Sequence, residues 1–433
     1  MQPEPHLLDT TQPFYGWKLL AALWVVMFVN VAFIFYGAAV INTWMAADFG
    51  LDRQVLGLVF SGFILVAGLN APLVAYLINK LGVRLTMVLG SACIFLGTLA
   101  MATVVNSGLQ AIIVFGLLCG LGVISGGGLS AQSAVTYWFV RKRALALSLV
   151  MSAPGIGGFV ATPLLNRVIT NADGNWRAGW YLVALLSCVS LTVAALFIRN
   201  KPESMGQVPD GIQNKASDPV DAAGQLVRTS VYRTSLEWEL SEVVRTRFIY
   251  LVMLCAVGFG SSYMLFLAHG IVHLQDLGHT PAAAARSLSI VTLATLMGNF
   301  LIGGLGDRIE PRYLLVCTLC CAAIAMFLVV NASGKYSIYP YAIFLGVGFG
   351  GSVVAMMTMI SNTFGAGIYA SIVGGIMAAQ TLASACMPFI AGYIFDTYHS
   401  YSGVFYFQSF LCVTAALLIA FNPQPVKTVA QTG

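Results

Sequence analysis

The chain has 433 residues, of which 58% are hydrophobic and 9% charged, with a net charge of +5. Soluble domains carry roughly a quarter charged residues, so a water-exposed globule is excluded. The modest positive excess argues for membrane topology and not for binding nucleic acid, and the 44 glycines suit close helix contact in lipid.

From Leu19 onward the sequence falls into stretches without Asp, Glu, Lys, Arg or His. Eight are of single length: 19–47, 54–79, 144–166, 178–198, 248–268, 287–306, 313–334 and 400–426. Two are of double length, 85–140 and 336–395, each with a polar turn near its middle, Asn106-Ser107-Gly108 and Asn362 to Gly367. A helix needs about 20 apolar residues to cross a bilayer core, where backbone amides find no water. Twelve crossings follow, and the fold class is an all-α membrane protein of two six-helix bundles.

The first eighteen residues are mostly polar and run through Lys18 into an apolar stretch without a small-residue cleavage site. They introduce a retained first helix and not a signal peptide. An even number of crossings puts both termini on one side. If that side is cytoplasmic, it receives Lys18, Lys80, Arg84, Arg141, Lys142, Arg143, seven residues of the 199–247 stretch, Arg308, Arg312 and Lys427. That is 16 of the 21 basic residues. Positive charge concentrates on the cytoplasmic side of membrane proteins, so the expectation is a multi-pass cell (inner) membrane protein with both termini inside.

The stretch 199–247 holds Pro202, Pro209, Pro219, seven basic and seven acidic residues, and a helix-like run from Leu236 to Val244. It reads as a cytoplasmic linker between bundles at 1–198 and 248–433. The halves repeat. A gapless offset of 228 places Arg84 on Arg312, Lys80 on Arg308, Asn79 on Asp307, Ala75 on Gly303, and Gly120 and Gly122 on Gly348 and Gly350. Parallel six-helix repeats are a transporter architecture.

At these residues the chain resembles the major facilitator superfamily. Gly303-Gly304-Leu305-Gly306-Asp307-Arg308 with Arg312 is similar to that superfamily's loop signature, and the first-half copy has Ala75 and Asn79 where Gly and Asp are usual. The resemblance implies a gate built from Asp307, Arg308 and Arg312, with Asn79 and Arg84 as its weaker counterpart. An Asp there can cap a helix or pair with a neighbouring Arg; the plainer alternative is charge that only sets topology.

A narrower set resembles the monocarboxylate-transporter-like and oxalate/formate-antiporter-like branch. In order it is Tyr15-Gly16-Trp17, Trp138 to Ala146, Trp176-Arg177, His269, Asp276-Leu277-Gly278 and Phe395-Asp396. The superfamily fold implies a midplane site between the halves on helices 1, 2, 4, 5, 7, 8, 10 and 11. Buried polar groups there are costly unless they have a function. The candidates are Asn30 and Tyr36 on helix 1, Ser125 and Gln132 on helix 4, and Ser152 on helix 5. Helix 7 adds Ser262, Tyr263 and His269, helix 8 Thr295 and Asn299, and helix 11 Gln380.

The branch implies an Arg on helix 8 that grips a carboxylate. Counted back from Asp307, that position is Asn299, with Thr295 where animal relatives place an acid, and Phe35-Tyr36-Gly37 lacks their helix 1 Lys. An amide does not replace a bidentate cation. The substrate is then a weaker or larger anion, or one held by hydrogen bonds and ring stacking.

His269 can exchange a proton near neutrality and so couple transport to protons or pair with an anion. The alternative is an interfacial histidine beside His273. Arg286 reads as a snorkelling interface residue or an attractor of anions.

Ala153-Pro154-Gly155-Ile156-Gly157-Gly158 resembles the helix 5 kink of proton-driven drug exporters, although helix 1 has no acid from Leu19 to Ala47. Pro removes a helix hydrogen bond and bends the helix. Cys317 and Cys320 are spaced CxxC without a nearby His, and are expected to be packing residues. Gly126-Gly127-Gly128 lies inside a helix and so is no phosphate cradle.

No enzyme chemistry, metal or cofactor is expected. The partners are a small-molecule organic anion, the bilayer and protons. Three readings stay open: a secondary carrier of a small organic anion by symport or antiport, a proton-driven exporter of an amphipathic or aromatic compound, and a non-transporting receptor.

Overall fold

Polar turns decide where the apolar runs break. Ser107 accepts from Gln110 N at 3.4 Å and Asn175 from Arg177 N at 3.1 Å. Thr280 accepts from Ala283 N at 3.3 Å, with Pro281 opening the helix behind it. Each side chain satisfies a backbone donor that the first helical turn leaves without a partner. The computed structural model describes residues 13–51, 53–211, 231–234, 236–334 and 336–427.

Twelve long helices result, with no strand among the described residues. They are α1 Gly16–Phe49, α2 Arg53–Leu69, α3 Ala71–Thr103, α4 Gly108–Trp138, α5 Arg143–Asn171 and α6 Trp176–Phe197. The second set is α7 Arg247–Asp276, α8 Pro281–Leu305, α9 Pro311–Val330, α10 Ile338–Phe364, α11 Tyr369–Tyr398 and α12 Ser402–Phe421. Eleven contain a window long and apolar enough to cross a membrane, and α2 adds a shorter apolar helix, Gly57–Leu69.

The second crossing continues past α2. Asn70 N donates to Val66 O and Val74 N to Asn70 O, so the helix runs on into α3. It breaks at Gly82, where φ is 82° and ψ 163°. That conformation favours glycine, and a Cβ there would also stand 2.6 Å from the Asn200 side chain.

The chain divides into two compact units. The first comprises Met1–Ala146 and Ile156–Thr229, the second Leu147–Gly155 and Ser230–Gly433, as far as these residues are described. The middle of α5 thus belongs to the second unit and its remainder to the first. The changes fall after Ala146 and after Gly155, the second directly beyond Pro154, while the helix itself continues unbroken.

Each unit has an aromatic core. In the first, Phe63 stacks on Phe115 at 4.9 Å and Phe115 lies 5.7 Å from Trp180. In the second, Phe266 lies 5.7 Å from Tyr341, both fully buried.

The internal repeat is present, with one correction. Gly120 approaches Phe63 O and Val66 on α2, and Gly346 approaches Val291 O and Ala294 on α8. Gly122 approaches Gly90 O and Ile94 on α3, and Gly348 approaches Thr318 O and Ala322 on α9. The neighbours keep the offset of 228, but the glycines match at 226. Gly120 and Gly122 therefore correspond to Gly346 and Gly348, because helix contact and not gapless spacing selects the glycine.

Two further expectations change. The helix-like run at Leu236–Val244 is a single turn, Leu240–Val243, closed by a reciprocal Glu239–Glu242 capping box. Residues 212–230 of that stretch, including Pro219, lie outside the described residues. Cys317 and Cys320 are exposed on α9 and do not pack in the core; all the described cysteines are free.

Candidate functional site

Several candidate residues sit on widened helical turns. Phe28–Gly37 of α1, Ile124–Gly128 of α4 and Phe266–Gly270 of α7 are π-helical. They carry Asn30 and Tyr36, Ser125, and His269 respectively. Such turns insert an extra residue into the helix and recur at functional sites. Hydrophobic patterning does not reveal them.

In the first unit Asn30 is fully buried, and its Nδ2 donates to Ser91 Oγ and Gly126 O, both at 2.8 Å. Its Oδ1 has no hydrogen-bond partner. At the same place α3 and α4 approach closely: a Cβ on Gly126 would lie 2.7 Å from Gly90 C. Asn30 thereby clamps α1 to both helices. Ser91 was outside the expected set because helix 3 was not counted among the cavity helices.

Tyr36 is half-buried, with its ring against Gly158 of α5, where a Cβ would stand 2.9 Å from it. Gln132 is buried in α4. Ser125 Oγ turns back to Leu121 O of its own helix.

In the second unit Ser152 is buried and its Oγ donates to Leu149 O at 2.6 Å, again within its helix. Beside it, Met151 O accepts from Asn299 Nδ2 at 3.4 Å. Asn299 is 6% exposed, and its Oδ1 has no hydrogen-bond partner. That oxygen faces Gly350, where a Cβ would stand 3.0 Å away. Thr295, one turn earlier, is half-buried and its hydroxyl donates to Val291 O at 2.8 Å.

The α7–α11 seam gathers another pair. The Gln380 amide lies over Gly260, and any Cβ there would stand 2.0 Å from its Nε2. His269 Nε2 contacts Pro388 O at 2.9 Å, and its Nδ1 contacts Tyr401 Oη at 3.3 Å. Tyr263 stacks on Phe349 with ring centres 4.0 Å apart and a 12° interplanar angle. Ser262 Oγ donates to Gly258 O at 2.8 Å and touches Cys412 Sγ at 3.3 Å.

Two contributors were absent from the sequence reading. Gln408 of α12 donates to Gly258 O and Ser261 Oγ at 2.8 and 2.7 Å. Tyr401 pairs with His269 across 132 positions. Gln408 is the one side-chain amide on α12, a helix outside the set that the superfamily resemblance assigns to the site.

Of the gate candidates, Asp307 and Arg308 lie in the α8–α9 loop, Asn79 and Arg84 flank the Gly82 break within α3, and Arg312 sits in the first turn of α9. Asn79 and Arg308 are exposed and Asp307 is half-buried. Arg84 Nη2 and Nε donate to Ala195 O at 2.7 and 3.2 Å, and its backbone N donates to Asn200 Oδ1 at 2.8 Å. Arg312 Nη1 donates to Asn422 O at 3.0 Å, with its guanidinium 5.0 Å from the Tyr313 ring centre. Among the described residues no group of three or more His, Cys, Asp or Glu is placed to hold a metal.

The chain is similar to known proteins over nearly its whole length. It is 23% identical to mouse monocarboxylate transporter 12 over 437 residues, covering 94% of this chain and 85% of that one. It is 27% identical to rat monocarboxylate transporter 13 over 374 residues, covering 82% and 77%. In fold it is similar to the E. coli fucose:proton symporter FucP, with TM-score 0.71 at 14% identity, covering 95% of this chain and 100% of that one. The sequence profile of the Major Facilitator Superfamily matches residues 23–366 and 252–433. With twelve apolar helices in place as well, the chain belongs to the Major Facilitator Superfamily and is a multi-pass membrane transporter, not an enzyme.

Proposed function

We propose that the protein carries a small, carboxylate-bearing organic anion by alternating access, together with a proton taken up on His269, in a membrane where both termini face the cytoplasm. The relatives named as monocarboxylate transporters support the substrate class. The observation that carries the coupling is His269 itself. It is an ionisable side chain on a π-helical turn of an apolar helix, held by hydrogen bonds at both ring nitrogens. A proton that travels with a monocarboxylate cancels its charge, so the loaded site crosses as a neutral whole.

The substrate contacts on this reading are amides, hydroxyls and rings: Asn30, Tyr36, Gln132, Ser152, Tyr263, Thr295, Asn299 and Gln380. With Asn299 in place of a guanidinium, hydrogen bonding and stacking do most of the holding. The Asp307, Arg308 and Arg312 loop, with Asn79 and Arg84 in the first half, serves as the gate.

The test is uptake of radiolabelled short carboxylates into proteoliposomes by the native protein and by Asn299→Arg. A charge at a helix centre costs about 2.5–3.5 kcal/mol on insertion scales, so lower yield of the variant is expected. The folded fraction should gain affinity for the smallest acids and lose it for the preferred substrate. A folded Asn299→Arg protein with unchanged affinities throughout places Asn299 outside the site.

A further inference from the structure

His269 is held in one orientation, and this decides where its proton moves. Pro388 O, 2.9 Å from Nε2, can only accept, so Nε2 carries its hydrogen. Nδ1 is then the nitrogen at which a proton is gained or lost, and its partner at 3.3 Å is Tyr401 Oη. The Tyr401 hydroxyl can donate to a neutral imidazole or accept from an imidazolium. It serves both states without moving the ring.

Tyr401 is built into its place. It is buried, and its ring stacks on Phe395 at 4.4 Å with an 18° interplanar angle. The His269 ring lies 5.1 Å from it, and the buried His273 ring meets it edge-on at 5.9 Å. Burial first, then the nearby carboxylates of Asp276 and Asp396, push the Tyr401 hydroxyl up, so it remains a neutral O–H.

The other titratable groups around the pair are engaged elsewhere or lie at the surface. His273 Nε2 contacts Val329 O at 3.2 Å, and His279 Nε2 contacts Ala332 O. His399 at the end of α11 and Arg286 near the start of α8 are exposed. Asp276 and Asp396 are exposed as well, and they are the acids that bear on Tyr401.

We propose that Tyr401 is the positioning and relay residue through which His269 exchanges its proton with water at the rim formed by Asp276 and Asp396. This rests on the proton-coupling reading above. In the loading step a hydronium ion at the rim gives a proton to Tyr401 Oη and leaves as water, while the hydroxyl's own proton passes to His269 Nδ1. Tyr401 ends neutral and His269 becomes an imidazolium. Release runs the same exchange backwards.

Two measurements separate this inference from the reading beneath it. Histidine-selective 15N NMR on the protein in bilayers, assigned by loss of signal in His269→Gln, reports which nitrogen carries hydrogen whatever the substrate. The native neutral ring should show a protonated Nε2 and a hydrogen-bonded Nδ1. Tyr401→Phe should convert Nδ1 to a free nitrogen, since the ring loses the hydroxyl that bonds it. A neutral ring protonated at Nδ1, or an Nδ1 signal unchanged in Tyr401→Phe, overturns the inference.

The second measurement is lactate-driven proton entry into pyranine-loaded vesicles. If His269→Gln leaves it intact, the coupling reading fails whatever the NMR shows. If His269→Gln removes it and Tyr401→Phe does not slow it severalfold, His269 is the proton site but Tyr401 is not its relay.

Discussion

Arg84 and Arg312, 228 positions apart in the chain, do the same work in their own units. Each aims its guanidinium at a backbone carbonyl at the end of that unit's last helix: Ala195 O for α6 and Asn422 O for α12. The last carbonyls of a helix have no internal partner, and a cation there also complements the helix dipole. This basic residue is therefore a fixed joint within its unit. Loss of the Arg312 contact, which is partly buried, should lower stability by about 1.5 kcal/mol. Loss of the exposed Arg84 contact should cost less. Thermal unfolding of Arg312→Gln and Arg84→Gln in detergent checks the order, and equal stability of both with the native protein removes the joint.

The neighbouring positions have a different task on the proposed reading. Asp307→Asn and Arg308→Ala should slow transport severalfold with substrate affinity nearly unchanged, since Asp307 follows Asn299 by eight positions, about two helical turns beyond it, past the end of α8. Equilibrium binding measured beside initial uptake rates separates the two effects. Normal flux in both variants removes the gate role.

Close helix contact gives a sharper expectation. Gly126→Ala would place a methyl group 2.7 Å from Gly90 C and Ser91 N, atoms of backbone that cannot swing aside. Overpacking of this kind costs about 1–3 kcal/mol. Asn30→Leu removes two buried hydrogen bonds at the same place. Both variants should express poorly or melt early, whereas Gly375→Ala, with nothing within 4 Å of its Cβ, should behave as native. A single thermal-shift series compares all three.

How much of this was legible beforehand follows from what each feature depends on. Charge-free runs and polar turns are local, so the crossings, the α3–α4 turn at Ser107 and the α10–α11 turn after Phe364 could be read directly. The repeat was legible at Asp307 and Arg308 but slipped by two residues at Gly348, because the glycine is chosen by a neighbour on another helix. The π-helical turns under Asn30 and His269 leave no mark in hydropathy. Tyr401 could not be matched to His269 because it lies in the α11–α12 turn, 132 positions away. Asn30 was recognised as an unusual buried amide, but its partner Ser91 was not.

The docking of the C-terminal segment should depend on pH. Glu242 bonds the backbone of Glu239 first and then Lys427 Nζ, at 2.8 and 2.7 Å, and these contacts hold its carboxyl below the ordinary 4.5. A depressed carboxylate contributes in full above its unfolded value, and the contribution is lost as pH falls through the folded value. Hydrogen-exchange protection at residues 422–427, referred to the intrinsic rate at each pH, should therefore be high above about pH 4.5 and fall below it. Glu242→Gln should show low protection at both pH values. A native profile that is flat across this range contradicts the assignment.

The central claim is carriage of a small carboxylate with a proton on His269. Its most direct test is initial uptake of radiolabelled lactate, pyruvate, formate and oxalate into proteoliposomes, with and without an imposed gradient that is acid outside. The account predicts saturable uptake of at least one of these acids, accelerated several-fold by the gradient. In His269→Gln the acceleration should vanish, while counterflow exchange at equal pH falls far less. Uptake of none of the acids, or a gradient response preserved in full by His269→Gln, would contradict it.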